Sequence, residues 1–560
     1  MPQYRLADEL PDTSDLKKKL LHHRGHTTPA EQQRFLSPNY DTDRHDPFLL
    51  HNMELATARI LQAIKDGEKI TIFSDYDCDG IPGAVVLHDF FQAILFTNFD
   101  NYIPHRHYEG FGLSTEAVEK LAASGTKLII TIDCGTSDIE AVARASEFGI
   151  DVIITDHHEP KEELPPAVAV VNPKIGDTYP FKELCGAGVV YKLIEALLER
   201  GEFKLTSGFE KWWLDMVGVA TVADMVPLVG ENRVFARYGL EVLRKSRRPG
   251  LHQLLRKNRL DQRRLTEDDV GFTLGPRINA ASRMDDPEDA FRMLATNDET
   301  EAGGRVEHLE RLNSERKGLV AAMTKELKKR VDGMSELPSV IVLGNPAWRP
   351  SLVGLSASSL AGEFGRPVFL WGRDGNGVIK GSCRSEGKTS VITLMDTVGD
   401  SFIEHGGHHM SGGFSVHEEQ LFSLPQRLNA AFAELGNEAQ YDEEVVVDAA
   451  LSLDAIGPEL LTTLKELAPF GVGNEKPLFA FVDVVPAEVA MFGKTKEHVK
   501  LVLPRLRDRL EAIAFFKTPN AFSYQPKVGE PITILAHVEE SYFMNRHQVR
   551  LRIVDVLRNL

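Results

Sequence analysis

The sequence predicts an α/β protein built as two α/β regions joined by a long helix, with a small β-barrel in its C-terminal part. Three observations carry that prediction. Short apolar strands alternate with amphipathic stretches between residues 51 and 240, a charged helical run covers residues 300–333, and β-type segments dominate beyond residue 440. At 560 residues and 62.3 kDa the chain exceeds the size at which single cores stop growing, so roughly two to four domains are expected.

The first residues, MPQYRLADELPDTSDLKKKL, are polar and acidic and lack the apolar region of a signal peptide. No apolar run approaches the ~18 residues of a membrane span, and 42% hydrophobic with 26% charged residues is the composition of a globular protein. A cytoplasmic location is the expectation. Cys78, Cys134, Cys185 and Cys383 are far apart and form no CxxC, which predicts neither a zinc site nor a disulfide framework.

KITIFSD, TKLIITIDC and IDVIITDHH read as parallel strands, with helices such as STEAVEKLAAS and DIEAVARASEF between them. Ligands of such sheets gather at the carboxyl ends of the strands. Asp75, Asp133 and the run Asp156-His157-His158 all fall there. A second α/β region opens with SVIVLG and carries the glycine-rich GGHHMSGGFSV. LFAFVDVV, HVKLVLP, LEAIAFF, PITILAHVE and QVRLRIVDV then supply the strands of the barrel.

A net charge of −18 argues against a nonspecific coat for polyanions, but not against a local cationic track. LRKSRRPGLHQLLRKNRLDQRR, residues 243–264, carries nine Arg or Lys and one acid. A solvated helical surface is the plainer explanation of it.

In DYDCDG, alternation along an extended segment would bring Asp75, Asp77 and Asp79 to one side before Gly80 permits a turn. Carboxylates so close stay ionised only beside cations, and an oxygen-rich set with some imidazole suits Mg²⁺ or Mn²⁺. A calcium loop would need a bidentate Glu at its twelfth position, where this chain has Val86. TIDCGTS, ITDHHEP and GVATVADMVPL add Asp133, His157, His158 and Asp224. Asp133 could instead cap a helix, and His158 could be a satisfied core histidine. Neither explanation accounts for all the stretches, whereas a two-metal site does.

These motifs, DYDCDG, TIDCGTS, TDHHEP and VADMVPL, resemble those of the DHH phosphoesterase superfamily. LCGAGVVYKL, GPRINAASRMDDP, KGSCRS and GGHHMSGGF further resemble its RecJ branch, exonucleases specific for single-stranded DNA. The resemblance implies a lead segment at 1–50, a DHH domain at 51–299, a connecting helix at 300–335, a second α/β domain at 336–436 and an oligonucleotide-binding (OB) barrel at 440–560. It implies one metal on Asp75, Asp77 and Asp133 and a second on Asp79, Asp133, His157 and Asp224, with Asp133 bridging. Asp156 would orient an imidazole, and His158 would contact the scissile phosphate or the leaving oxygen. Arg106, Arg277, Asn279, Arg283, Ser382 and Arg384 would hold substrate, with Gly406, Gly407 and His408 offering a backbone loop to phosphate. In the barrel, Lys494, Lys496, Lys500, Arg505 and Arg507 lie among the stacking candidates Phe492 and Tyr542.

The expectation is therefore a monomeric Mn²⁺- or Mg²⁺-dependent exonuclease that degrades single-stranded DNA from its 5′ end, with a helicase or single-strand-binding protein as partner. Two rivals remain: a DHH enzyme for short oligoribonucleotides or cyclic dinucleotides, and an inactive replication scaffold. Against the family pattern stand Arg349 and Ser351 in place of His and Gly, His409 and Ser411 in place of alanines, and Ser282 in place of glycine.

Overall fold

The computed structural model describes residues 3–8, 10, 15–386, 389–436, 444–493, 496–506, 508–543 and 546–558, without the side chains of 541–543, 546 and 547. The chain divides into two compact units, Tyr40–Gln440 and a second formed by Met1–Asn39 with Tyr441–Leu560. The stretch expected as one lead segment, 1–50, is thus shared between them. Among the described residues no helix is long and apolar enough to cross a membrane.

The larger unit begins with five parallel strands: β1 (Ile70–Ser74), β2 (Phe99–Tyr102), β3 (Leu128–Ile132), β4 (Asp151–Thr155) and β5 (Ala169–Val171). Their order is β2-β1-β3-β4-β5. β1 and β3 are buried along their whole length. Continuous ITIF and LIIT runs, rather than alternation, are what a sheet covered on both faces requires. Helices α1 (Gly80–Ala93), α2 (Gly186–Arg200) and α3 (Leu214–Ala223) pack together over one face and contribute most of their residues to the main core. The register sets the site. Ser74, Ile132, Thr155 and Val171 stand opposite one another, so the next residues, Asp75, Asp133, Asp156 and Asn172, form a row along the carboxyl edge.

Helix α4 (Gly275–Met284) leads toward α5 (Glu299–Asp332), the long connector that the charged run predicted. α5 packs against α4 and against α6 (Pro350–Phe364). Beyond α5 lies a mixed five-stranded sheet of β6 (Ile341–Gly344), β7 (Val368–Arg373), β8 (Ile379–Arg384), β9 (Glu404–Gly407) and β10 (Ser411–Val416), ordered β9-β10-β8-β7-β6. Gly406 and Gly407 thus lie within a strand pair, opposite Gly413 and Gly412. They do not form the open loop expected of them.

The smaller unit is built on a seven-stranded sheet whose strands match the five β-type segments read from the sequence, with Ala449–Ala450 and Glu488–Phe492 at its edges. Leu20, Leu21 and Phe35 of the N-terminal helices share its core with Phe479, Phe481 and Ile534. The N-terminal stretch is therefore part of this unit's hydrophobic core.

One buried polar cluster lies apart from the site. Lys192 on α2 is wholly buried and pairs with Glu231 at 2.9 Å and Glu195 at 2.8 Å. Tyr179 donates a hydrogen bond to the same Glu231. Removing one partner from a buried pair strands the other charge, at a cost of about 3–5 kcal/mol. Lys192→Met should therefore lower unfolding free energy by an amount in that range, measured by urea denaturation. A change below about 1 kcal/mol would show that the pair is not sequestered from water.

Candidate metal and phosphate site

The acidic row is completed by a turn, not by strand alternation. β1 stops at Ser74, and Asp79 already stands at the N-terminus of α1. The chain reverses so tightly that a Cβ on Gly80 would lie 2.5 Å from the carbonyl oxygen of Asp75. Asp77 accepts N–H bonds from Asp79 (2.8 Å) and Gly80 (3.3 Å), which holds the turn. Asn279, expected to touch substrate, instead accepts the Cys78 N–H at 2.9 Å and braces the same turn from α4. Asp79 accepts the N–H groups of Gly186 (2.6 Å) and Ala187 (2.8 Å) at the start of α2. The LCGAG stretch thus positions a carboxylate with backbone donors at a helix N-terminus.

Asp133 follows β3 in left-handed backbone, φ 59°. A Cβ on Gly186 would lie 2.6 Å from that of Asp133, so only glycine admits the carboxylate here. His157 Nε2 sits 3.1 Å from Asp133 Oδ1 and 3.7 Å from both Asp79 Oδ2 and Asp224 Oδ2. Four groups with donor atoms within 4.8 Å of one another emerge among the described residues: Asp75-Asp77-Asp133, Asp79-His157-Asp224, Asp133-His157-His158 and Asp285-Asp289-His308. The first is one expected set; the second holds three of the four ligands expected for the other ion, and Asp133 approaches it through His157 at 3.1 Å.

The electrostatics are those of a site built for cations. Burial, reinforced by the neighbouring carboxylates, holds Asp75, Asp133 and Asp224 well above the usual carboxylate range and pushes Asp79 up to about 7. Burial lowers His157 to about 3, so its imidazole is neutral with a lone pair to give. Asp75 Oδ1 and Asp133 Oδ1 are buried and accept no hydrogen bond. Orphaned buried oxygens are rare and call for an ion. The donor set, carboxylates with one imidazole, fits Mn²⁺ or Mg²⁺. Cys78 and Cys134 are buried free thiols beside these ligands and outside all four groups.

Asp156 does not reach into the clusters. It accepts from His158 Nδ1 (2.8 Å), from the His157 and His158 backbone (2.7 and 3.2 Å) and from Thr136 N–H (3.0 Å). Burial works against charge on His158, but the bond to Asp156 and the charges of Asp156, Asp75 and Asp79 prevail and hold it above its ordinary value. Its ring stacks on His408 across the cleft, with centroids 6.1 Å apart. Thr136 and Asn172 were not foreseen. Asn172 donates to Thr136 Oγ1 and to the His158 carbonyl, so it secures this corner.

Facing the acids is a group of arginines. Arg106 lies 4.7 Å over the Tyr76 ring. Arg283 is half-buried and is lowered to about 9 by desolvation together with the charges of Arg106 and Arg316. Burial likewise lowers Arg384. A Cβ on Gly354 would lie 3.1 Å from both Arg384 Nη2 and Ser382 Oγ, so α6 abuts both side chains. None of Arg106, Arg283 and Arg384 makes an ion pair among the described residues. Arg277 does not belong with them. Its guanidinium is spent on Glu310 (2.6 Å), Asn258 and the Thr273 carbonyl, stapling α4 to α5.

The departures from the family pattern also find places. Ser351 Oγ donates to the Arg283 carbonyl (2.8 Å), and Arg283 Nη1 donates back to the Ser351 carbonyl (2.7 Å). Arg349 approaches Glu315 at 4.0 Å. Ser282 is buried and bonds within its own helix turn. The His409 carbonyl accepts from Val391, and Ser411 pairs with Arg384 in the strand ladder.

In the smaller unit Lys496 is exposed, Lys500 lies 3.6 Å from Glu511, and Arg505 is closed onto Asp508 at 2.6 Å. Phe492 packs against His498 and Phe515, and Arg552 lies 4.2 Å over the Phe515 ring. Lys494, Arg507 and the Tyr542 side chain fall outside the described residues.

Three matches to protein families follow the same layout: the DHH family, N-terminal domain, over residues 69–221, the DHHA1 domain over 337–434 and the RecJ OB domain over 447–555. The single-stranded-DNA-specific exonuclease RecJ of Bacillus subtilis is 36% identical over 542 residues, covering 96% of this chain and 67% of its own. The crystal structure of RecJ in complex with Mn²⁺ from Thermus thermophilus superposes with a TM-score of 0.83 at 27% identity, spanning 100% of this chain and 80% of that one. The Mg²⁺ complex from the same organism gives 0.77 at 26% identity, spanning 100% of this chain and 79% of that one.

The raised carboxyl values fix a sign. The metal-free folded state binds protons that the unfolded chain has released, from about pH 4 up through about 7 for Asp79, and its neighbours are raised in the same direction. Without metal, stability should fall as pH rises from 6 to 8. Mn²⁺ should stabilise more at pH 8, where the ligands are free of protons. Thermal unfolding in EDTA and in Mn²⁺ at both pH values checks this. A metal-free melting temperature that rises with pH, or the same slope in Asp133→Asn, would remove the cluster as the cause.

Proposed function

The chain belongs to the RecJ family of DHH phosphoesterases, and from that premise we propose that it hydrolyses single-stranded DNA stepwise from the 5′ end, releasing mononucleotides. The observation that carries the reading is the pair of ligand groups flanking Asp133, with orphaned carboxylate oxygens on Asp75 and Asp133, set opposite unpaired arginines. Asp75, Asp77 and Asp133 would hold one divalent ion, and Asp79, Asp133, His157 and Asp224 the other. Bound there, two such ions supply an activated water and neutralise charge on the attacked phosphate.

The chain's own residues do the rest. Arg106 and Arg384, with Ser382, make a pocket whose fork-shaped donors suit phosphate oxygens. Arg283 lines it from α4. His158, held by Asp156 through Nδ1, presents Nε2 to the scissile group and can give a proton to the departing 3′ oxygen. Cleavage of the bond from phosphorus to that oxygen leaves the phosphate on the shortened strand. Each cut thereby regenerates the 5′-phosphate that the pocket binds, a basis for processive movement. His408 closes the cleft over His158.

The match over residues 447–555 favours a long strand over a dinucleotide as substrate. The exonuclease activity of the RecJ relatives and the presence of all six proposed ligands argue against a scaffold that has lost its metals. The reading extends to a cytoplasmic monomer supplied with single strands by a helicase or a single-strand-binding protein. Incubation with end-labelled single- and double-stranded oligonucleotides, with and without Mn²⁺, tests it. Single strands should shorten from the 5′ end, only with metal. Loss of label from the 3′ end first, or equal attack on duplex, would overturn it.

Two variants sharpen the assignment. Asp133→Ala should retain less than about a tenth of wild-type rate, a barrier increase above about 1.4 kcal/mol, measured in single-turnover digestion with Mn²⁺. Greater activity would refute a bridging role. Arg384→Ala should shrink the preference for a 5′-phosphorylated strand over a 5′-hydroxyl one, because a charge-assisted bond is lost only when the phosphate is present. Equal slowing of both substrates would make Arg384 a general strand contact instead.

A further inference from the structure

In the basic run at 243–264, Arg248 is buried between Asp215 (2.8 Å) and Asp89 (2.7 Å), and Lys257 pairs with Glu307 at 2.8 Å. A second group of cations lies on α5. Along one face of α5, beside α6, runs an open groove of about 760 Å³. Its cationic side is Arg316, Lys317, Lys325, Lys328 and Lys329, against the single acid Asp332. Lys328 is taken by Glu363 at 2.6 Å. Lys317, Lys325 and Lys329 make no ion pair among the described residues. The floor is apolar, formed by Val320, Ala321 and Leu355.

We propose that this groove is a strand track, carrying the sugar-phosphate backbone of a single-stranded nucleic acid between the metal site and the far end of α5. Three observations support it beyond charge. Spacings of three and four residues place Lys317, Ala321, Thr324 and Lys328 on one helix face, with Lys325 and Lys329 to one side of it, so the cations spread over about 20 Å of helix at 1.5 Å per residue. Arg316 Nε is buried without a partner, at the end of the groove nearest the site. Arg316 in turn lies close enough to Arg283 for its charge to depress that residue, and Arg283 feels Asp77.

No aromatic side chain lines the groove, so it would hold phosphates by charge while bases rest on aliphatic surface, without reading sequence. Phosphates repeated along one strand match cations spread along one groove better than an acidic peptide does, because a peptide's side chains leave in several directions. The proposal deepens the nuclease reading and rests on it.

The test measures binding rather than cleavage, so failure of one reading is separable from failure of the other. Fluorescent dT20 is titrated in EDTA, where the metal site is idle, across a range of KCl. Lys317→Gln/Lys325→Gln/Lys329→Gln should bind about tenfold more weakly at 0.15 M salt. Its slope of log K against log salt should be shallower by about 2, at ~0.7 per lost phosphate contact. Lys65→Gln/Lys127→Gln/Lys204→Gln makes the same change of net charge at exposed positions outside the groove and should bind as wild type does. Unchanged affinity and slope in the groove variant, or equal loss in both variants, would overturn the track. Loss of binding to a fluorescent polyglutamate peptide with dT20 affinity retained would assign the groove to an acidic protein segment and likewise overturn it.

Discussion

The structure turns on a repulsion that the fold does not relieve. Asp75, Asp77, Asp79, Asp133 and Asp224 crowd a mostly buried corner in which no Lys or Arg is paired to them. A protein selected for stability alone would not keep them there. What holds them is covalent and geometric. The parallel register lines Asp75, Asp133 and Asp156 along one edge, a tight turn at Gly80 brings Asp77 and Asp79 back, and α2 enters with backbone donors for Asp79. The left-handed backbone of Asp133 adds local strain in the same place. Burial and repulsion are relieved by the same event, the arrival of cations.

The arginines repeat the logic with the opposite sign. Arg106, Arg283 and Arg384 stand near those acids yet pair with none of them, and Arg283 loses part of its affinity for a proton through burial. Two uncompensated charge groups side by side would ordinarily collapse into ion pairs. Here Arg283 is clipped to Ser351, Arg384 donates to the Cys383 carbonyl, and Arg106 rests on Tyr76. Held apart, the two groups leave a space suited to divalent ions on one side and phosphate on the other. Such preorganisation explains why neither half of the site is satisfied by the protein itself.

How much of this could be read in advance depended on whether a signal was local. The strand-end positions of Asp75, Asp133 and Asp156-His157-His158 were legible because an apolar run followed by a polar residue marks the end of a buried strand in the sequence itself. The long helix and the C-terminal strands were legible for the same reason. The manner in which Asp77 and Asp79 converge was not, since alternation and a turn both bring residues two apart together. Arg277 and Asn279 lie in one motif with Arg283, and nothing in GPRINAASR says which side chain faces the cleft. Only Glu310, thirty-three positions away, shows that Arg277 faces the other way. Gly406 and Gly407 looked like a loop because glycine pairs in strands are uncommon, and their partners Gly412 and Gly413 had to be seen across the ladder.

The residues that break the family pattern point the same way. A serine at position 351 in place of glycine would be expected to crowd the cleft, yet its hydroxyl and carbonyl form a two-point clip on Arg283. An arginine pinned through one guanidinium nitrogen keeps its remaining donors for a ligand, and it arrives with less side-chain entropy left to lose. His107 lies 3.1 Å from the same Arg283 carbonyl and adds a contact from the strand-end side of the cleft. The pattern has therefore moved the means of holding α4 against α6 without removing the donor that faces the site. Ser282, buried in its own helix, and His409, engaged through its backbone, change still less. The constraint that persists through these exchanges is the separation of the arginines from the acids, because chemistry on a phosphate between them depends on that gap.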